Sequence, residues 1–260
     1  MKADFSEFSY GFALTSEIVD EIPQIRHAGA PRFPSLYEEG QAGGGYDVEI
    51  PIMGLFLQFK LSDELTRRNA KEANLLGLSY FRMELRPLRH SDQHKLLLDL
   101  DDGENMVFYV APEFRASRDL NLAYASRNVA QRSAFFSPKD IGSLPDDGRH
   151  YVVFTTRTSD AYLCSEPHRV RRTRVEEIFK LASARKRRPE EAELTKGEDF
   201  YTRLVTKMLD AYAREGRKLG HGAIEQLRRL SRDREPAPFA QYLSQTLFDC
   251  ELLVVGAQEG

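Results

Sequence analysis

The stretch Leu55-Phe56-Leu57-Gln58-Phe59-Lys60-Leu61 constrains this chain more than any other. It is apolar enough for a strand covered on both faces, yet two polar residues sit inside it. Side chains alternate along a strand, so Gln58 and Lys60 share one face. An ammonium group is costly to bury alone, so polar partners should meet Lys60 on that face. The nearest upstream lie in Gly45-Tyr46-Asp47-Val48-Glu49-Ile50, which reads as a second short strand with Asp47 and Glu49 on one side. Between the two, Pro51-Ile52-Met53-Gly54 reads as a tight connection. A hairpin loop with an even number of residues puts Asp47 opposite Gln58 and makes Lys60 its diagonal neighbour. A three-residue loop puts Asp47 opposite Phe59 instead. The even register gathers acid, amide and ammonium on one patch. The plainer alternative is a polar hairpin with an exposed Asp47–Lys60 ion pair contributing ~0.2–1 kcal/mol.

Asp47 followed by Gln58-Phe59-Lys60 on the next strand resembles the PD-(D/E)XK nuclease superfamily, and within it the Mrr-like branch whose second acid is glutamine. The matching motif spans residues 45–61, and a compatible order of elements runs to about residue 112. The resemblance implies an α/β restriction-endonuclease-like core, a mixed sheet flanked by helices, that hydrolyses phosphodiester bonds in DNA with Mg2+ or Mn2+. Asp47 is then the principal metal ligand, Gln58 offers its amide oxygen and Phe59 its backbone carbonyl. Lys60 holds or polarises the attacking water and stabilises charge on the phosphorane. Magnesium takes one or two carboxylates with water completing its shell. Because Gln58 is uncharged, Glu49 or Glu17 is needed as a compensating acid. The resemblance favours Glu17, on the first helix; its plain reading is an exposed helix acid. Gln93 leads the helix after the core strands and resembles a substrate-proximal glutamine of some members. The superfamily's restriction and repair enzymes suggest defence against foreign DNA. Self-association or an activating protein partner is compatible with it. Two rival readings use the same residues: a catalytically weak or inactive module of this fold that binds nucleic acid or a protein, and an RNA nuclease.

The net charge of −3 carries no overall basic signature, but residues 168–188 hold nine Lys/Arg against two Glu. Arg169, Arg171, Arg172, Arg174, Arg185, Lys186, Arg187 and Arg188 are the candidate contacts to DNA phosphates. A solvated basic helix is the ordinary alternative. Cys164 and Cys250 lie too far apart for a metal or redox motif, which points to a reduced, cytoplasmic protein. No run approaches the length of a membrane span. The scattered histidines give no zinc spacing, and there is no Walker loop or nucleophile elbow.

Periodicity predicts a helix over 8–22 with Phe12, Thr15, Val19 and Ile22 inward, and a charged helix over 62–76. A strand over 80–85, a helix over 91–101, a strand over 106–111, a helix over 120–131 and a strand over 151–155 follow. Beyond Glu166-Pro167 the pattern turns helical, over 174–188, 198–214, 223–232 and 238–248, with a short apolar strand at 252–255. Residues 1–165 are thus read as the nuclease-like core. Residues 166–260 are read as a basic, mainly helical extension or small second domain.

Overall fold

The computed structural model describes residues 1–22, 25–27, 51–66, 72–76, 79–86, 91–145, 148–165, 168–184, 197–215 and 220–256. The apolar run belongs to β2 (Pro51–Phe59), the middle strand of a five-stranded mixed sheet. Its neighbours are β10 (Glu251–Gly256), antiparallel, and β5 (Met106–Pro112), parallel. β1 (Ile25–His27) lies beyond β10, and β6 (Ser133–Phe136) beyond β5. Phe56 projects with Val107, Tyr109, Leu252 and Val254 into one core; Leu55 and Leu57 project with Phe108, Val110, Leu253 and Val255 into the other. A strand buried on both faces has no polar side to show, hence the near-continuous apolar sequence.

The expected hairpin at 51–54 is not formed, because those residues are already strand. Gly54 pairs with Val254, and its N–H donates to Asn105 Oδ1 at 3.1 Å. The antiparallel neighbour of the Gln58 strand is therefore the late strand β10, and the even-loop register has no turn to rest on.

A second sheet is antiparallel throughout: β3 (Ser62–Leu65), β4 (Tyr80–Leu85), β7 (His150–Phe154), β8 (Ala161–Leu163) and β9 (His168–Arg169). The helix expected over 62–76 is thus replaced at its start by a strand, and among the described residues of that span α2 (Ala73–Leu76) is helical. Helical propensity loses here to pairing: Ser62 is buried, its hydroxyl donating to the Pro112 carbonyl, and Glu64 pairs with Arg115 at 3.0 Å.

Helices cover both faces of the first sheet. α1 (Glu7–Glu21), α4 (Ser117–Ala125) and α6 (Val175–Ala184) line the Leu55 side. α3 (Gln93–Leu100), α7 (Gly197–Glu215) and α9 (Pro236–Phe248) pack on the Phe56 side with the second sheet. The short α5 (Pro138–Ile141) and α8 (His221–Leu230) complete the helices among the described residues. The segment after residue 166 therefore contributes a central strand and part of both cores, and the division at 165/166 runs through shared packing. Among the described residues no helix is long and apolar enough to cross a membrane.

α1 starts where Ser6 accepts from the Ser9 N–H at 3.0 Å. Of the expected inward set, Thr15 and Ile22 are buried and Val19 packs against the core, whereas Phe12 is 45% exposed; Tyr10, Leu14, Glu17 and Ile18 complete the inward stripe. Gly11 lies on the same buried side. A Cβ there would lie 2.8 Å from the Phe59 ring, so the helix approaches β2 on its glycine side. Tyr10 fixes that side by donating to Ser133 Oγ at 2.6 Å.

Candidate functional site

The polar pair predicted from strand parity sits where β2 runs out. Lys60 follows the last strand residue, and its N–H still donates to the Val110 carbonyl at 2.9 Å. Gln58 and Lys60 both turn to the Phe56 side and are 2% and 5% exposed. Two further elements reach them. α3 begins with Gln93, which is also buried. α9 ends at Phe248, and Asp249 adopts the left-handed conformation (φ 54°, ψ 41°) that turns the chain into β10 beside β2. That corner delivers an exposed carboxylate to the cluster, with the buried Cys250 behind it.

The side chains form one directed chain of hydrogen bonds. Lys60 Nζ donates to Gln93 Oε1 at 3.1 Å, and Gln93 Nε2 donates to Gln58 Oε1. Gln58 Nε2 donates to the Phe59 carbonyl at 3.1 Å. The amide orientations are fixed at both ends, since an ammonium can only donate and a carbonyl can only accept. Gln93 Nε2 also reaches Asp249 Oδ2 at 3.2 Å and the Phe248 carbonyl at 3.3 Å. Cys250 Sγ lies 3.7 Å from Gln58 Oε1. Burial pushes the Lys60 ammonium below its ordinary value, against the opposing pull of Glu7 and Asp249, while Arg86 adds to the lowering. Burial likewise raises the Cys250 thiol well above its ordinary value, so it is a poor nucleophile here.

No family model, curated protein or solved structure matches this chain. The remaining site residues are placed by geometry alone.

Glu17 does not join the cluster. It lies on the opposite side of the sheet, where its two carboxylate oxygens accept from the Val129 and Ala130 N–H groups at 2.8 and 3.0 Å. It ties α1 to the turn before β6, and that commitment to backbone donors is why it cannot also serve a metal near Lys60. Phe59 O is turned onto the Gln58 amide. Asp47, Glu49 and the run Arg185, Lys186, Arg187, Arg188 lie outside the described residues. Arg172 leaves the nucleic-acid set: its side chain is 8% exposed, paired with Glu113 and donating to the Thr155 carbonyl. Arg169 and Arg171 are exposed and paired with Asp160 and Glu177, and Arg174 is exposed.

Beside the cluster opens a cavity of about 380 Å³, lined among others by Arg86, Asp92, Gln93, Gln245 and Asp249. Among the described residues no three His, Cys, Asp or Glu side chains gather as a metal site. The oxygens of Gln58, Phe248 and Asp249 nevertheless converge, because all three accept from one nitrogen. One carboxylate with neutral oxygens, water and substrate phosphate is the sparse set magnesium commonly takes, so the donors present fit such an ion. Sequence reasoning missed Asp249. Its only signal was an acid between an apolar helix end and an apolar strand, with nothing to say which strand it would meet.

Proposed function

We propose that the chain is a divalent-metal-dependent DNA endonuclease with a restriction-endonuclease-like core, centred on Gln58, Lys60 and Asp249. One observation carries the reading: a buried lysine and a glutamine on one strand face, joined through Gln93 to a carboxylate at the rim of a polar cavity. Lysine is rarely buried so deeply, and titratable groups perturbed by burial cluster at functional sites. Asp249 and Gln58 would hold Mg2+ or Mn2+, which when bound would supply Lewis acidity at the phosphate. Lys60 would donate to the phosphate oxygen that gains charge, in a site where little water screens it. Arg86 would bind a neighbouring phosphate, and the exposed Arg169, Arg171 and Arg174 would contact the backbone farther out. Asp47 stands as a further candidate acid.

Supercoiled plasmid incubated with the protein and Mg2+ or Mn2+ should be nicked or linearised, and a chelator should stop the reaction. Lys60→Ala and Asp249→Asn should each slow it by about a hundredfold or more. Cleavage that persists in both variants would remove these residues from the chemistry. The single carboxylate at the described cluster favours a second reading, a nuclease-fold module that binds DNA without cutting it. Binding with no cleavage in any divalent metal would select that one.

A further inference from the structure

We propose that Gln93 is a movable plug in a three-oxygen cation cage, and that its side chain must swing aside before a divalent metal enters. The inference rests on the reading of this cluster as a metal centre. The cage is Gln58 Oε1, the Phe248 carbonyl and Asp249 Oδ2, all within hydrogen-bond reach of Gln93 Nε2. A carboxamide nitrogen carries two hydrogens. Three acceptors around it exceed what it can serve with linear bonds, so the site offers more oxygen than the amide needs. An amide nitrogen between a carboxylate, a carbonyl and an amide oxygen is a weak positive pole where a hard cation would bind more strongly.

The assignment of nitrogen rather than oxygen to the cage is forced from the far end, where Lys60 holds Gln93 Oε1 at 3.1 Å. The plug has somewhere to go. Gln93 lines the 380 Å³ cavity, and as the first residue of α3 its side chain has that space beside it to turn into. Its departure would also free the Lys60 ammonium, leaving it adjacent to the cage and able to donate to an incoming phosphate oxygen. Metal entry and release of the lysine are then one event. The cage is closed while the lysine is occupied and open when it is free.

The test uses Mn2+ alone, with no nucleic acid, titrated into the full chain by calorimetry. If the unplugged state is populated at about 1–10%, Gln93→Ala should tighten Mn2+ binding by about 10- to 100-fold, since the apparent constant is the intrinsic one divided by the competent fraction. Adding Asp249→Asn to Gln93→Ala should cancel the gain. Unchanged or weaker binding in a folded Gln93→Ala protein overturns the proposal. A second measurement needs no variant: Mg2+ added to wild type should shift the Gln93 side-chain NH2 signals in a 15N correlation spectrum, and signals that stay in place overturn it equally. Plasmid cleavage by wild type with either negative result leaves the nuclease standing and removes the plug. Tight Mn2+ binding by Gln93→Ala in a protein that cuts nothing does the reverse.

Discussion

Glu17→Ala should destabilise this protein substantially and report on α1, not on catalysis. Glu17 is 4% exposed, and each carboxylate oxygen serves one backbone donor, Val129 N–H at 2.8 Å and Ala130 N–H at 3.0 Å. Truncation strands two buried donors at ~1–3 kcal/mol each. Water admitted to the vacated space recovers part of that, so the expected loss is about 2–4 kcal/mol. For a chain of this size that corresponds to a melting-temperature drop of ~5–15 °C. Glu17→Gln keeps one acceptor and sets an NH2 group against the second donor, so it should fall between wild type and alanine. The pH dependence separates the two further. Burial raises the folded pKa of Glu17 above its ordinary 4.5, against the Ala130 and Val129 N–H bonds that lower it. The folded state then binds the extra proton, and the contribution is full below 4.5 and lost as pH rises through the raised value. Wild-type stability relative to Glu17→Gln should therefore decline with rising pH across that window. Urea titrations at several pH values measure all three proteins. A Glu17→Ala protein with wild-type stability but no cleavage would refute this account and return Glu17 to the metal.

Arg172→Met should cost ~3–5 kcal/mol by stranding the buried Glu113, and Glu113→Gln in the same chain should recover much of it in thermal melts. Gly11→Ala should destabilise by ~1–3 kcal/mol because its Cβ meets the Phe59 ring, although alanine alone favours a helix by about 1 kcal/mol. Trimming Phe59 to Leu should restore most of that loss. Neutralising Arg185, Lys186, Arg187 and Arg188 together should weaken DNA binding evenly across sequences and flatten its salt dependence by ~0.9 log unit per lost contact. An unchanged slope would make the run a solvated surface.

Local pattern carried the elements that pack by their own periodicity. β5 and β4, the buried Leu96, Leu97 and Leu100 of α3 and the late helices all lie close to where the spacing of apolar residues places them. Gln58 and Lys60 share a face for the same reason: alternation is a property of one strand and needs no partner. Failures begin where a partner decides. Residues 62–65 are charged enough for a helix, and only β4 makes them a strand. Residues 51–54 look like a turn because Pro and Gly punctuate them, yet Gly54 is there for close packing against Asn105 and Phe56. Glu17 looked exposed because its partners, Val129 and Ala130, are more than a hundred residues away. Asp249 was invisible because its meeting with Gln58 depends on which gap in the sheet β10 fills.

That gap sets a timetable for synthesis. Cys250 and Gln58 are 192 residues apart in the chain, which the ribosome takes ~10–40 s to cover. Once β5 has been made, β2 can pair with it on one side while its other edge, the one that β10 will occupy, offers bare N–H and C=O groups to any strand that meets it. A nascent chain is thus exposed to mispairing at a strongly apolar strand. The same delay reaches the candidate site. Asp249 arrives with β10, so a partly synthesised chain lacks the complete Gln58–Gln93–Asp249 cluster until its sheet closes.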